Sequence, residues 1–99
     1  MNKLYFSIIV MSNNEKSVEI FVREKISDLE SYKKDEMFTK KIGLFGAPSL
    51  INVDIKVYEC DKKATGIPDY DFLEARYRRD YRFIKECREI DHREFTIEK

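Results

Sequence analysis

Ile51-Asn52-Val53-Asp54-Ile55-Lys56-Val57-Tyr58-Glu59-Cys60 is the most regular stretch of the chain, and its reading decides the fold. Ile51, Val53, Ile55 and Val57 alternate with Asn52, Asp54, Lys56 and Tyr58. Successive side chains of a strand point to opposite faces, so this pattern predicts a strand with one buried and one polar face. Upstream, Gly46-Ala47-Pro48-Ser49 has turn composition. In Met37 to Phe45, the residues Phe38, Ile42 and Leu44 share a parity, which predicts a strand with one ragged face. The two segments together predict a β-hairpin closed by the Gly46–Ser49 loop.

Working outward, Lys3 to Met11 is nearly continuous in apolar residues and rich in β-branched and aromatic types. Apolar residues at both parities read as a central strand. Ser12 with Glu15 offers a capping box. Beyond it Val18, Phe21, Val22, Ile26 and Leu29 recur at three- and four-residue steps, predicting an amphipathic helix to about Tyr32 or Lys33. Asp61 to Asp69 reads as a loop around Gly66 and Pro68. Asp71 with Glu74 forms a second capping signal. The Leu73, Tyr77, Tyr81, Ile84 stripe predicts a second helix ending near Glu89 or Ile90. Phe95 and Ile97 mark a short terminal strand.

The predicted order is β-α-β-β-α-β, the split βαβ or ferredoxin-like arrangement of the α+β class. It implies a four-stranded antiparallel sheet with both helices on one face, its first and third strands central.

At 99 residues the chain is one domain, spanning 1–99, and its 42% apolar content with 7 Phe and 6 Tyr suffices for a core. Charged residues make up 38% and balance to zero, which argues against disorder and against electrostatic coating of nucleic acid. No apolar run approaches a membrane span, and Leu4 to Met11, interrupted by Ser7, lacks a signal-peptide cleavage site. Cys60 and Cys87, 27 positions apart, fit neither a zinc knuckle nor a CxxC motif. They read as reduced thiols of a cytoplasmic protein. Plentiful Lys, Ile, Asn, Phe and Tyr with few Ala, Gly and Pro suit an AT-rich coding sequence of bacterial or phage type.

The inventory of chemistry is thin. His92, between Asp91 and Arg93, is placed at the C-terminus of the second helix, where a cation favours the dipole. Neither a base for catalysis nor a nucleophile pair with Cys87 is indicated. Asp69, Asp71 and Glu74 crowd a helix start, as capping requires. Gly43-Leu44-Phe45-Gly46 falls in the expected hairpin, where it cannot act as a backbone-clamping GxxG loop between helices. Phosphate-loop and dinucleotide glycine motifs are missing. The Ile51–Cys60 strand offers only Tyr58 as an outward aromatic and lacks the RNP1 pattern, which disfavours an RNA-recognition motif. No catalytic, cofactor or metal-ligand residues are therefore assigned.

The second helix carries the one distinctive surface. Between Arg76 and Arg88 stand six cations against two acids. Arg78, Arg82 and Lys85 fall opposite the apolar stripe, and Phe72 and Phe83, eleven residues apart, share a flank with Arg76 and Arg79. Aromatics beside arginines serve protein interfaces and nucleic-acid surfaces alike. Phe72, Arg76, Arg78, Arg79, Arg82 and Phe83 are thus the candidate partner-binding residues. The expected function is a non-enzymatic protein-binding module of inhibitor, antitoxin or immunity type, self-association as a homodimer included. The alternative is nucleic-acid binding through the second helix.

Overall fold

The computed structural model describes residues 2–26 and 36–99. It contains β1 (Lys3–Ser12), β2 (Ser17–Val22), α1 (Glu36–Ile42), β3 (Leu50–Asp61), α2 (Lys62–Thr65), α3 (Tyr70–Arg79), a 3-10 helix (Tyr81–Glu86) and β4 (Arg88–Glu98). The strands form one sheet in the order β2-β1-β3-β4, every neighbouring pair antiparallel. The α+β class and the four-stranded antiparallel sheet follow the expectation, as do the central places of the first strand and the Ile51–Cys60 strand. The element order does not. A split βαβ arrangement sets the second strand beside the third and the fourth beside the first, whereas here β2 lies beside β1 and β4 beside β3.

The departure begins after β1. Asn13 turns the chain: its side-chain oxygen accepts from the backbone N–H of Glu15 and of Lys16, both at 2.9 Å, and its own N–H bonds the Lys16 carbonyl. An Asx turn of this kind competes with helix capping for the same polar residues. Ser17–Val22 then returns along β1 as a strand. Val18, Phe21 and Val22 had predicted a helix, yet Val18, Ile20 and Val22 also satisfy a period of two, and they pair with Met11, Ile9 and Ser7. The rest of that expected helix, including Leu29, Tyr32 and Lys33, lies outside the described residues.

Met37–Phe45 forms no strand. Glu36–Ile42 is a helix, with Phe38 and Ile42 one turn apart, an acid in its first turn and Lys40 and Lys41 in its last, as the dipole favours. Gly43–Gly46 therefore follows a helix and not a hairpin strand. The expected loop after β3 contains α2, capped by Asp61 and closed by Gly66 at φ 73°, a left-handed C-cap that suits glycine.

The second predicted helix is cut in two. Asp69, not Asp71, is the N-cap of α3, accepting from the Phe72 N–H. Asp80 stops α3 and caps the following 3-10 helix by accepting from the Arg82 N–H. The break resets the phase, so Phe83 enters the core and Tyr81 is left 71% exposed. Chain released from the helix joins β4, which runs from Arg88 and not from Phe95.

Apolar residues at both parities of β1 require cover on both sides of the sheet. On the first face Ile9, Met11, Ile51, Val53, Ile55 and Val57 pack with Ile20, Val22, Ile26, Phe38 and Phe45, the α1 side of the molecule. On the second face Leu4, Phe6, Ile8, Tyr58 and Cys60 pack with Ile67, Leu73 and Phe83, from α3 and its surroundings. The helices lie on opposite faces, where one shared face was expected. Phe6 stacks between Phe21 and Tyr58, with centroids 5.2 and 5.3 Å away. Full burial of such a ring contributes ~1.5–3 kcal/mol.

Candidate functional site on the open half of the second face

Helix α3 and the 3-10 helix cover only one end of the second face, where Leu4, Phe6 and Cys60 lie. Antiparallel register sets Val10 opposite Asp54, Asp54 opposite Glu94, Lys56 opposite His92 and Asn52 opposite Thr96. All these residues project from the second face. All but His92 border a groove of about 740 Å³ with Ile8, Val10 and Tyr58 inside it, Tyr77 of α3 on one side and Glu19 of β2 on the rim.

Two tyrosines are fixed in this groove. The Tyr77 hydroxyl donates to the Glu19 carboxylate, and burial together with that acid holds its pKa well above the ordinary value. Burial, then the nearby acids Glu89 and Asp54, pushes Tyr58 up to about 12. Both stay neutral at physiological pH and present a ring with a hydroxyl at its tip, a pairing frequent at binding surfaces.

At the β3–β4 side, His92 Nε2 lies 3.0 Å from Asp54 Oδ2 and 3.5 Å from Glu94 Oε1. The hydrogen bond to Asp54 raises the His92 pKa; desolvation, next in weight, and the charge of Lys56 oppose it, while the charges of Asp54 and Glu94 add to it. The expected place of His92 is a helix C-terminus. Its true place is mid-strand, and it shares a face with Glu94 by the two-residue step. The alternation running back from Thr96 through Glu94 to His92 is the signal that finds them, and the helical stripe reaching to Glu89 or Ile90 masks it.

The six residues singled out from sequence are not one surface. Phe72, half exposed, joins Arg76 and Arg79 around a shallow hollow of about 210 Å³. Phe83 is only 3% exposed and belongs to the core, with the Arg76 guanidinium 5.0 Å above its ring. Arg78 pairs with Glu74 at 2.9 Å, and Arg82 with Asp80 at 3.0 Å. Glu74 also holds Arg23, which reaches Asp71 as well, so the carboxylates at the start of α3 tie it to the end of β2.

Cys60 and Cys87 are both free thiols in the second-face core. Burial, with the neighbouring Cys60, pushes Cys87 up to about 12, so its thiolate is scarce. Among the described residues, no helix is long and apolar enough to cross a membrane. No protein-family model matches the chain, and neither a curated protein nor a solved structure matches it significantly.

Proposed function

We propose that the chain is a non-enzymatic protein-binding module that takes a cationic segment of another protein into the groove on the second face. The observation that carries this reading is the groove itself: among the described residues the second face is covered at one end, and the half-buried Val10 and Tyr77 border an opening whose floor continues through the buried Ile8 and Tyr58. An apolar, aromatic centre inside a polar rim is the anatomy of a protein interface. Glu19, Asp54 and Glu94 outnumber Lys56 on that rim, so a lysine or arginine of the partner is its electrostatic complement. A small one-domain chain of this kind suits the work of an inhibitor, antitoxin or immunity-type accessory protein. The arginines of α3 support nucleic-acid binding less well, because Arg78 and Arg82 already face Glu74 and Asp80.

Site-specific photo-crosslinking in cells tests the reading. A photoreactive residue at Thr96 should give a discrete adduct with one other protein, through a segment containing Lys or Arg. The adduct should disappear in Val10→Glu. An adduct of two copies of this chain would replace the heteromeric reading with self-association. Adducts formed from Phe72 and not from Thr96 would move the interface to α3 and overturn the groove assignment.

A further inference from the structure

We propose that Asp54, His92 and Glu94 bind a single divalent transition-metal ion, zinc being the best fit, on the β3–β4 wall of the groove. The three side chains come from two strands that are hydrogen-bonded along their length, so register and not loop conformation brings them together. Each contributes one ligand atom, and those atoms all lie within 4.8 Å of one another.

The separations are what a small tetrahedral ion requires. Bonds of ~2.0–2.1 Å to nitrogen and oxygen ligands place the ligand atoms of a tetrahedron ~3.3–3.4 Å apart. His92 Nε2 stands 3.0 Å from the Asp54 oxygen and 3.5 Å from the Glu94 oxygen, on either side of that figure. The third separation, between the two carboxylates, is within 4.8 Å, and a bound ion would draw them together by side-chain rotation.

Charge favours the same conclusion. Like charges directly opposite one another in a sheet are destabilising, and Asp54 and Glu94 are such a pair. Without an ion, one proton on His92 Nε2 satisfies Asp54 and reaches Glu94 less well. A divalent ion in that position bonds all three atoms at once. Imidazole with carboxylates suits zinc, whereas calcium takes 6–8 oxygen ligands and magnesium an octahedron, which three side chains including a nitrogen do not supply. A fourth position is left for water, because His92 and Glu94 are exposed. Lys56, opposite His92 on the same face, is the nearby cation that weakens the site.

This inference is separate from the partner reading, since a bound ion would take up the Asp54 and Glu94 charge and leave Glu19 as the acid of the rim, and its test uses the purified full chain alone. Isothermal titration with zinc chloride should give one ion per chain, and cobalt substitution should give the visible spectrum of a four-coordinate nitrogen–oxygen site. H92A and D54N should each weaken binding by more than the about 10–100-fold that loss of an outer-shell partner costs. C87S should leave affinity unchanged. All three variants lie away from the packed core or keep its volume, and their folding is verified by circular dichroism. Absence of zinc binding in the unmodified chain would overturn the proposal. So would an affinity that H92A leaves intact, or that C87S abolishes, since the ion would then be held elsewhere.

Discussion

Asp54 and Glu94 stand directly opposite each other on β3 and β4, two carboxylates on one face of the sheet. A folded chain tolerates this arrangement at a cost, and the cost is a measurable quantity. Replacing Glu94 with Lys turns a like-charge pair into an opposite-charge one. In the presence of a chelator, Glu94→Lys should stabilise the protein by ~0.2–1 kcal/mol. That corresponds to a rise in Tm of about 1–8 °C for a domain of this size, read by calorimetry. A fall in Tm would mean that the His92 bridge outweighs the repulsion.

Phe72 and Phe83 share a helical flank in sequence and part company in the structure. Phe83→Ala should cost ~3–5 kcal/mol in urea unfolding, the usual penalty for emptying a buried aromatic site. Phe72→Ala should fall within about 0.5 kcal/mol of the unmodified protein, as exposed substitutions do. Similar losses for both would show that the chain does not break at Asp80.

Ser7 is the sole buried polar residue among those described, and its hydroxyl is fully used. It donates to the Glu24 carbonyl at 2.7 Å and accepts from the Ile26 N–H at 2.9 Å. Ser7→Ala should cost ~1–3 kcal/mol, because a buried N–H loses its acceptor. Hydrogen exchange of the Ile26 amide should accelerate more than that of the β1–β3 ladder.

Arg23 joins β2 to α3 through Asp71 and Glu74. Burial alone would raise the Glu74 carboxyl, but the Arg23 and Arg78 guanidiniums hold it below its ordinary 4.5. A carboxyl whose folded pKa is depressed contributes stability above its unfolded pKa and loses it as pH falls through the folded value. Arg23→Ala should therefore lower Tm at neutral pH, and the difference should shrink as the pH is taken below about 4.5. A gap that persists unchanged at pH 2 would assign the loss to packing of the arginine stem.

Legibility followed the number of readings each segment allows. β1 and β3 are plain, because a nearly continuous apolar run of β-branched and aromatic residues and a strict alternation each admit one structure. Ser17–Val22 admits two, since Val18 and Val22 serve a helical period and, with Ile20, a strand period; the Asn13 turn decides between them. Phe38 and Ile42 likewise fit both a turn of helix and one parity of a strand. Asp80 gave no strong warning, as a single acid inside a helical stripe is ordinary until its side chain turns back to cap the Arg82 N–H. The groove and the Asp54–His92–Glu94 cluster depended on all of these at once. A face can be recognised as half covered only after the helices have been assigned to their sides.

Strand β1 carries apolar residues towards both layers, so water-aversion is nearly indifferent to sliding it by one position. Such a slip would exchange Phe6 and Ile8 for Ile9 and Met11 at modest loss, although it would invert the whole strand. Ser7 is what refuses it. Turned to the second face, its hydroxyl would meet the rings that flank Phe6 and find neither Glu24 nor Ile26. One hydroxyl thus acts as the index mark of the sheet, telling a two-sided strand which side is which.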